Sequence, residues 1–220
     1  MFNVIRFELG NLFQRIKNVL NPIYVYRLLK LKHNNTISLN LGSGGNGRQD
    51  WINIDARPTH HGLYIAYDIR RKLPIRSSTV ERIYAEHVIE HLDFRYDIPK
   101  LFAECYRVMK PGSIFRIVVP DVEKFVNAYV SKEQSRWDAL GLADESDDLA
   151  FVSPMHVLNH VFHQEGEHLF GYDFDTLRIA LENANFKTVV KQAYNQSLDK
   201  ELCMDQQNHE PYSLYVDAKK

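Results

Sequence analysis

The segment of residues 37–55 constrains the fold of this 220-residue chain more than any other. Its first part, Ile37–Leu41, alternates apolar and polar residues as a β-strand does. The Gly-Ser-Gly-Gly sequence of residues 42–45 then allows a sharp turn and a close approach of the backbone to a ligand, because glycine has no Cβ. A second short strand ends in Asp55, whose carboxylate can accept hydrogen bonds from two neighbouring ribose hydroxyls. The segment therefore predicts nucleoside binding at the carboxyl edge of a parallel sheet.

A dinucleotide fingerprint fits this segment poorly. That fingerprint is Gly-x-Gly-x-x-Gly at the start of a full helix, with an acid about 20 residues further on. Asp55 comes much sooner after the glycines, and residues 43–51 are too few for a normal crossover, which needs at least about 10–12 residues with its helix. An adenosine that carries an amino acid needs only backbone amides for its carboxylate. The segment therefore favours such a ligand and a shortened first crossover helix.

The chain beyond this segment alternates apolar runs with helical patterns, which predicts an α/β fold with a mostly parallel sheet. Residues 96–109 have a helical apolar stripe that ends at a Pro-Gly turn. Residues 114–119 are almost all apolar, as in a strand that is buried on both faces. Two further short strands are predicted at residues 63–67 and 82–85.

Residues 121–171 are longer than a plain connection, and we expect them to form a lid or substrate insertion at the carboxyl edge of the sheet. Asp173 or Asp175 can then cap a helix that continues through about residue 184. Residues 186–190 and 213–216 are predicted to form a closing strand pair, with a polar segment between them.

Composition bounds the partners and the compartment. The net charge is −1 and the estimated pI is 6.8, so the basic character of a nucleic-acid-binding protein is missing and we expect no nucleic-acid partner. Two cysteines, Cys105 and Cys203, make no disulfide framework, which favours a reducing compartment and a cytoplasmic location. The length indicates one main domain, assigned to residues 34–220, and leaves the oligomeric state open.

The first 33 residues differ from the rest of the chain. They contain several basic side chains but one acid, Glu8, and their apolar residues recur at nearly helical spacing. No apolar run approaches the ~18 residues of a spanning helix, and a signal-peptide pattern is missing. Two interpretations stay open: a basic amphipathic helix at a membrane surface, or a helix that packs on the domain and covers the cofactor. The first predicts peripheral membrane contact through residues 1–33.

Five motifs follow one another: residues 39–44 (LNLGSG), 52–55 (INID), 67–74 (YDIRRKLP), 85–92 (AEHVIEHL) and 104–121, which starts with ECYRVMKPG and ends with IVVPD. Together they resemble the class I S-adenosylmethionine-dependent methyltransferases, specifically the compact bacterial methyltransferase type 11 kind. The resemblance returns at residues 166–186 and 213–219, and it departs at Asn40, where many class I members have an acid. It implies a Rossmann-like, mostly parallel sheet of roughly seven strands with an antiparallel closing pair and helices on both faces.

The resemblance also implies S-adenosylmethionine as the cofactor and assigns its binding residues. The glycine turn would face the methionine part, Asp55 would hold the ribose hydroxyls, and Asp68 with the backbone amide of Ile69 would meet the adenine edge. Glu86 and His87 would flank the sulfonium and open onto the substrate. The implied cofactor-binding positions are thus Gly42, Ser43, Gly44, Asp55, Asp68, Ile69, Glu86 and His87.

Methyl transfer is an in-line displacement at a carbon that positive sulfur already activates, so positioning can supply much of the catalysis. The resemblance implies an enzyme that moves a methyl group to a small-molecule or glycan acceptor. We expect transfer to oxygen, and a hydroxyl acceptor needs a base near neutrality. The candidates for a catalytic role are His87, Asp121, His163 and His168. Two alternatives remain: a non-catalytic adenosyl-binding partner subunit, and a nicotinamide-dependent oxidoreductase, which the missing helix after the glycines disfavours.

The late histidines also raise the question of a metal. The residues that could supply ligands are His156, His160, His163, Glu165, Glu167 and His168. A zinc-protease helix needs Glu directly after its first histidine, where this chain has Val157, and no cysteine set is present. From the sequence we therefore predict no bound metal.

Overall fold

The computed structural model describes residues 37–56, 63–141 and 153–220. The predicted basic segment of residues 1–33 lies outside the described residues, so its helix, its membrane contact and its separation from the main domain stay predictions. Within the described part of the chain, no helix is long and apolar enough to cross a bilayer.

One seven-stranded sheet organises the fold, in the order β3-β2-β1-β4-β5-β7-β6. Its strands are β1 (Ile37–Leu41), β2 (Ile52–Asp55), β3 (Leu63–Ala66), β4 (Val80–Glu86), β5 (Met109–Pro120), β6 (Thr188–Gln192) and β7 (Ser213–Lys219). The first five strands pair in parallel, β7 lies antiparallel to β5, and β6 lies antiparallel to β7. The predicted mostly parallel sheet with an antiparallel closing pair is therefore confirmed.

The first crossover contains no helix. Residues 42–51 join the parallel neighbours β1 and β2 through turns alone. The amides of Gly42 and Ser43 both donate to the carbonyl of Ile54, at 2.8 and 3.3 Å, so the chain folds back onto β2 as soon as β1 ends. A connection this short can close only because the turn starts directly after β1. The predicted shortening of the first crossover helix is therefore confirmed.

Five α-helices are described: α1 (Ile98–Val108), α2 (Val122–Ser131), α3 (Gln134–Asp138), α4 (Pro154–His163) and α5 (Phe174–Asn183). The N-terminus of α5 is capped by Asp173, whose side chain accepts a 2.8 Å hydrogen bond from the amide of Thr176, as one of the two sequence alternatives predicted. Helices α1 and α5 pack on one face of the sheet, where alternate strand residues such as Leu39 and Ile83 join them in the main apolar core.

The opposite face of the sheet carries polar side chains that a buried network satisfies. Arg116 on β5 has no exposed surface, and its guanidinium donates to the carboxylates of Asp205 and Asp217 at 2.8 and 3.1 Å. A buried charge is costly unless it is paired, so this network holds the segment of residues 193–209 on the sheet. The segment contains the short 3₁₀ helix Lys200–Leu202. The sequence predicted helices on both faces of the sheet. Among the described residues, α-helices cover one face and 3₁₀ turns cover the other.

The insertion after β5 forms a small apolar cluster of its own. Phe125 of α2 and Val157 of α4 pack there with Leu140 and with Tyr212, which directly precedes β7. Residues 142–152 lie outside the described residues. The insertion therefore contributes packed helices at the carboxyl end of β5, and its role as a lid stays a prediction.

Candidate active site

The residues predicted to bind the cofactor share one edge of the sheet. The four parallel neighbours β3, β2, β1 and β4 all end there, so the glycine turn, Asp55, Asp68 and His87 follow adjacent strand ends. The amide of Gly44 donates a 2.8 Å hydrogen bond to Oδ2 of Asp55, which joins two of these positions directly. The topology therefore brings the predicted cofactor-binding residues to one edge of the sheet, while the role of each residue stays a prediction.

The glycine turn is pressed against the chain that leaves β4. Gly42 has a φ of +64°, and a Cβ built on it would lie 2.1 Å from Cγ2 of Val88, so only glycine fits both the backbone and the space. The two residues that follow Gly42 leave room and a free polar group for a ligand. A Cβ on Gly44 would meet nothing within 4 Å, and the buried hydroxyl of Ser43 has no hydrogen-bond partner. An open cradle with an unsatisfied hydroxyl fits the amino-acid part of S-adenosylmethionine.

Two asparagines stabilise the connector that follows the turn. The side chain of Asn53 on β2 accepts from the amide of Arg48 and donates to its carbonyl, both at 2.8 Å. The side chain of Asn40 donates to Oδ1 of Asn53 and to the carbonyl of Asn46, each at 3.2 Å. Asn40, where many class I members have an acid, therefore belongs to an amide network that shapes the loop after the glycines.

Asp68 lies just past β3 and is already paired. Its carboxylate accepts two hydrogen bonds of 2.9 Å from the Arg70 guanidinium. Burial alone would raise the pKa of this carboxyl, but the hydrogen bonds from Arg70 and the charges of Arg70 and Arg71 hold the pKa below its usual value. Ile69 beside it is 8% exposed, so its side chain packs in the core and its backbone is what can face a ligand.

The last residue of β4, Glu86, anchors the late part of the chain. Its buried carboxylate accepts hydrogen bonds from the Tyr84 hydroxyl at 2.8 Å, from the Gln206 side chain at 2.9 Å and from the Gln206 amide at 3.1 Å. Nδ1 of His209 also lies 3.1 Å from it. Burial would raise the pKa of Glu86, but these hydrogen bonds lower it to about 2. Glu86 is therefore an ionised anchor for residues 206–209 at the edge where the cofactor is expected.

His87 lies between this edge of the sheet and a pocket. It directly follows β4 with a φ of +49°, its Nε2 lies 2.9 Å from the hydroxyl of Ser213, and its ring lies 4.1 Å from that of His209, measured between centroids. Burial, reinforced by the neighbouring His209, lowers the pKa of His87 to about 3. The imidazole is therefore neutral near pH 7.

Beyond His87 the structure has a cavity of about 280 Å³. It lies between the chain that follows β4, the end of α4 and residues just before β7. Histidines dominate its wall, and the polar groups that line it include His87, Glu90, His91, His160, His168 and Tyr212. The cavity thus offers several ring nitrogens to a bound molecule next to the predicted sulfonium position.

The four candidates for a catalytic role are separated by the fold. His87 and His168 both line the cavity, and burial lowers the pKa of His168 to about 4, which leaves this ring neutral as well. His163 is exposed near the end of α4 and is not part of the cavity wall. Asp121 is buried outside the cavity wall, with Nζ of Lys191 3.5 Å from its carboxylate. The structure therefore brings two of the four candidates to the cavity.

Comparison with known proteins agrees with this architecture. A family model described as a methyltransferase domain matches residues 52–117, which contain β2, β3, β4, α1 and most of β5. The match supports the resemblance of the motifs to S-adenosylmethionine-dependent methyltransferases, and with it S-adenosylmethionine as the cofactor. No curated protein matches the chain at a significant level.

Solved structures show the same fold at low sequence identity. One is a S-adenosylmethionine-dependent methyltransferase of Thermotoga maritima, described as a possible histamine N-methyltransferase. It is 13% identical, with 99% of this chain and 94% of that chain covered and a TM-score of 0.51. Another is the 1,6-didemethyltoxoflavin-N1-methyltransferase of Burkholderia thailandensis, solved with 1,6-didemethyltoxoflavin and S-adenosylhomocysteine. It is 12% identical, with 88% of this chain and 76% of that chain covered and a TM-score of 0.50.

Several residues at the candidate active-site edge of the sheet were missed by sequence reasoning. Gln206, His209 and Ser213 reach Glu86 and His87 from more than a hundred residues further along the chain. The only sequence signal was the polar character of the segment before the last strand, which does not name a target. Their placement depends on β7, which lies beside β5 and so brings the preceding segment next to the end of β4.

Proposed function

We propose that the methyltransferase moves a methyl group to a small-molecule or sugar acceptor, at oxygen, and that the acceptor binds in the cavity beyond His87. The observation that carries the proposal is the position of His87. This residue follows β4 at the edge that holds the glycine turn and Asp55, and it also lines the cavity. A molecule in the cavity would therefore lie next to the predicted sulfonium position.

The cofactor would be held by groups at this edge. When bound, S-adenosylmethionine supplies a methyl group that its sulfonium already activates. The Ser43 hydroxyl and the open space beside Gly44 would hold the amino-acid part, and Asp55 would accept hydrogen bonds from the ribose. A carboxylate has about four acceptor positions, so Asp55 can serve the ribose while it accepts from Gly44.

The size and wall of the cavity favour a small polar acceptor. At about 280 Å³ it is near the lower limit of about 300–1,000 Å³ for ligand pockets, so a monosaccharide-sized molecule fits better than an extended chain. Its histidine-rich wall provides hydrogen-bond partners for hydroxyl groups. These features support a hydroxylated acceptor.

His87 is the base that we assign to this acceptor. Because its pKa is lowered, the ring is neutral near pH 7 and one of its nitrogens has a lone pair for the hydroxyl proton. The second ring nitrogen, Nδ1, lies 3.5 Å from Oε1 of Glu90, a carboxyl group whose pKa is raised to about 8 by burial. A positioned base typically contributes about 10²- to 10⁴-fold to the rate, and the low pKa of His87 makes it a weak base, so we expect a contribution near the lower end of this range.

A methyl-transfer assay tests the proposal. The wild-type protein is incubated with S-adenosylmethionine and a panel of hydroxylated small molecules, monosaccharides and amines, and methylated products are located by mass spectrometry. We expect O-methylation of one hydroxylated class. His87→Ala should lower kcat by about 10²-fold or more and keep S-adenosylhomocysteine binding, whereas His163→Ala should keep both, because His163 lies outside the cavity wall. Methylation of amines alone would refute the oxygen assignment, and an unchanged kcat in His87→Ala would refute the role of the base.

The two remaining alternatives are tested by binding. A nicotinamide-dependent oxidoreductase would bind NAD in competition with S-adenosylhomocysteine, which isothermal titration measures directly. A non-catalytic adenosyl-binding subunit would bind S-adenosylhomocysteine and methylate no acceptor of the panel. Failure of the wild type to bind S-adenosylhomocysteine would overturn the proposed function.

A further inference from the structure

We propose that Glu90, His91 and His168 form a binding site for a divalent metal ion of the zinc type in the wall of the cavity. The sequence predicted no bound metal, and of these three residues only His168 was among the possible ligands that it offered. It concerns metal binding by the chain and does not depend on the identity of the methyl acceptor.

The three side chains converge from two separate segments. Each of them offers a potential ligand atom, and these atoms lie within 4.8 Å of one another. Glu90 and His91 belong to the 3₁₀ helix Ile89–His91, just after β4, whereas His168 follows α4. The segments are tied together by the carbonyl of Glu90, which accepts a 2.8 Å hydrogen bond from the amide of Leu169. Backbone pairing therefore holds the ligands in place.

Both histidine rings are oriented in the way that metal-binding histidines are. Nδ1 of His91 lies 3.1 Å from the carbonyl of Glu167, and Nδ1 of His168 lies 2.7 Å from the carbonyl of Val161. A carbonyl only accepts, so Nδ1 carries the proton in each ring and Nε2 carries the lone pair. In metal-binding histidines, one ring nitrogen usually donates to a carbonyl or carboxylate in this way and the other binds the ion.

The third ligand, Glu90, is a buried carboxylate that lacks hydrogen-bond donors. Its side chain is 2% exposed, and neither carboxylate oxygen has a hydrogen-bond partner. The side chain that comes nearest to pairing with it is the neutral ring of His87, whose Nδ1 is 3.5 Å from Oε1, beyond a good hydrogen bond. Burying a carboxylate without donors is costly, and a bound cation would offset that cost. Glu90 lines the same cavity as His91 and His168, so a metal ion can reach all three.

The ligand set selects the metal class. Two imidazoles and one carboxylate match the three-ligand sites that zinc occupies with a fourth position open, whereas magnesium and calcium prefer oxygen ligands. Bonds of about 2.0–2.2 Å in a tetrahedral site place the ligand atoms about 3.4 Å apart, so atoms that now lie within 4.8 Å of one another would close by up to about 1.4 Å. The open position would face the cavity.

Metal titration of the untagged full-length chain tests the site. After treatment with a chelator, the wild type is titrated with ZnCl₂ by calorimetry, and with CoCl₂ by visible absorption, which reports four-coordinate geometry. We expect one equivalent to bind, with a cobalt spectrum typical of four ligands. His168→Ala, His91→Ala and Glu90→Gln should each weaken zinc binding by about 10- to 100-fold.

The matched control is His163→Ala, which removes an exposed histidine from the same part of the chain and should leave zinc binding unchanged. Circular dichroism establishes that each variant is folded, and the wild-type cobalt spectrum keeps the test decisive if a variant fails to fold. The proposal is overturned if the wild type takes up no stoichiometric zinc. It is equally overturned if His163→Ala weakens binding as much as the three ligand variants, since that outcome means adventitious binding by surface histidines.

Discussion

The backbone amide of Gly44 donates a 2.8 Å hydrogen bond to Oδ2 of Asp55, which joins the turn after β1 to the carboxylate that ends β2. The same carboxylate is the expected partner of the ribose, so one side chain both shapes the turn and would bind the cofactor. The amide of Tyr67 donates to the backbone carbonyl of Asp55 at 2.8 Å, which brings the chain after β3 to the same place. Asp55 is thus the point at which three strand ends are tied together.

Asp55→Ala should weaken S-adenosylhomocysteine binding by about 10- to 100-fold. Hydrogen bonds to a charged group contribute about 1.5–3 kcal/mol each, and every 1.4 kcal/mol is tenfold in affinity. Isothermal titration measures the change, with Asp50→Ala as the control because Asp50 is an exposed carboxylate of the same connector. Equal affinity of wild type and Asp55→Ala would mean that Asp55 does not bind the cofactor.

Gly42→Ala should lower the free energy of unfolding by about 2–5 kcal/mol. The left-handed φ of +64° costs a side chain about 1–2 kcal/mol, and the new Cβ would overlap Val88, which adds about 1–3 kcal/mol. Urea denaturation gives the value. Gly45→Ala is the control, because a Cβ there meets nothing within 4 Å, and its stability should stay within about 0.5 kcal/mol of wild type.

A double variant separates the two contributions at Gly42. Val88→Ala shortens the side chain that the new Cβ would meet. Gly42→Ala should therefore cost less in a Val88→Ala background than in the wild type. An identical cost in both backgrounds would show that the contact with Val88 plays no part.

Arg116→Met should destabilise the protein by about 3–5 kcal/mol, because it leaves the buried carboxylates of Asp205 and Asp217 without their cation. Arg136→Met is the matched control, since Arg136 also pairs with a carboxylate but its side chain is 57% exposed. The control should cost less than about 1 kcal/mol. Thermal and urea unfolding measure both variants, and similar losses would contradict the buried network.

The loss of folding stability at acidic pH should depend on Glu86. Its pKa is lowered to about 2 in the folded protein from 4.5, so the unfolded chain binds the proton more readily. This carboxylate therefore contributes stability above about pH 4.5 that is lost as the pH falls toward 2. In Glu86→Gln, the free energy of unfolding should vary less with pH between these two pH values. Glu201→Gln, at an exposed position, should show the same pH dependence as the wild type. A Glu86→Gln profile as steep as the wild-type profile would contradict the assignment.

Local patterns were sufficient for the framework of the molecule. Alternation in β1, the glycines at residues 42–45 and the short distance to Asp55 predicted a strand, a tight turn and a crossover without a normal helix, and the structure has all three. These features follow from neighbouring residues, because strand periodicity and glycine conformations are set within a few positions. The N-cap of α5 by Asp173 belongs to the same class.

Side chains with distant partners could not be assigned in this way. Asp121 and His163 stay candidates for catalysis, but their positions beside Lys191 and on the surface could not be predicted from the sequence. Glu90 and His91 meet His168, which comes from a later segment, at the cavity wall. A local sequence pattern does not predict the distance in space between residues that are so far apart along the chain.

The sequence by itself determined the parallel sheet, the glycine turn, and the carboxylate and imidazole that follow successive strands, because each depends on short-range backbone chemistry. Only the tertiary structure decided that β7 brings Gln206, His209 and Ser213 to the end of β4. It also decided which histidines face the cavity. The physical reason is that strand pairing and core packing bring together residues that are distant in the chain, and the chemistry of the cavity results from that juxtaposition.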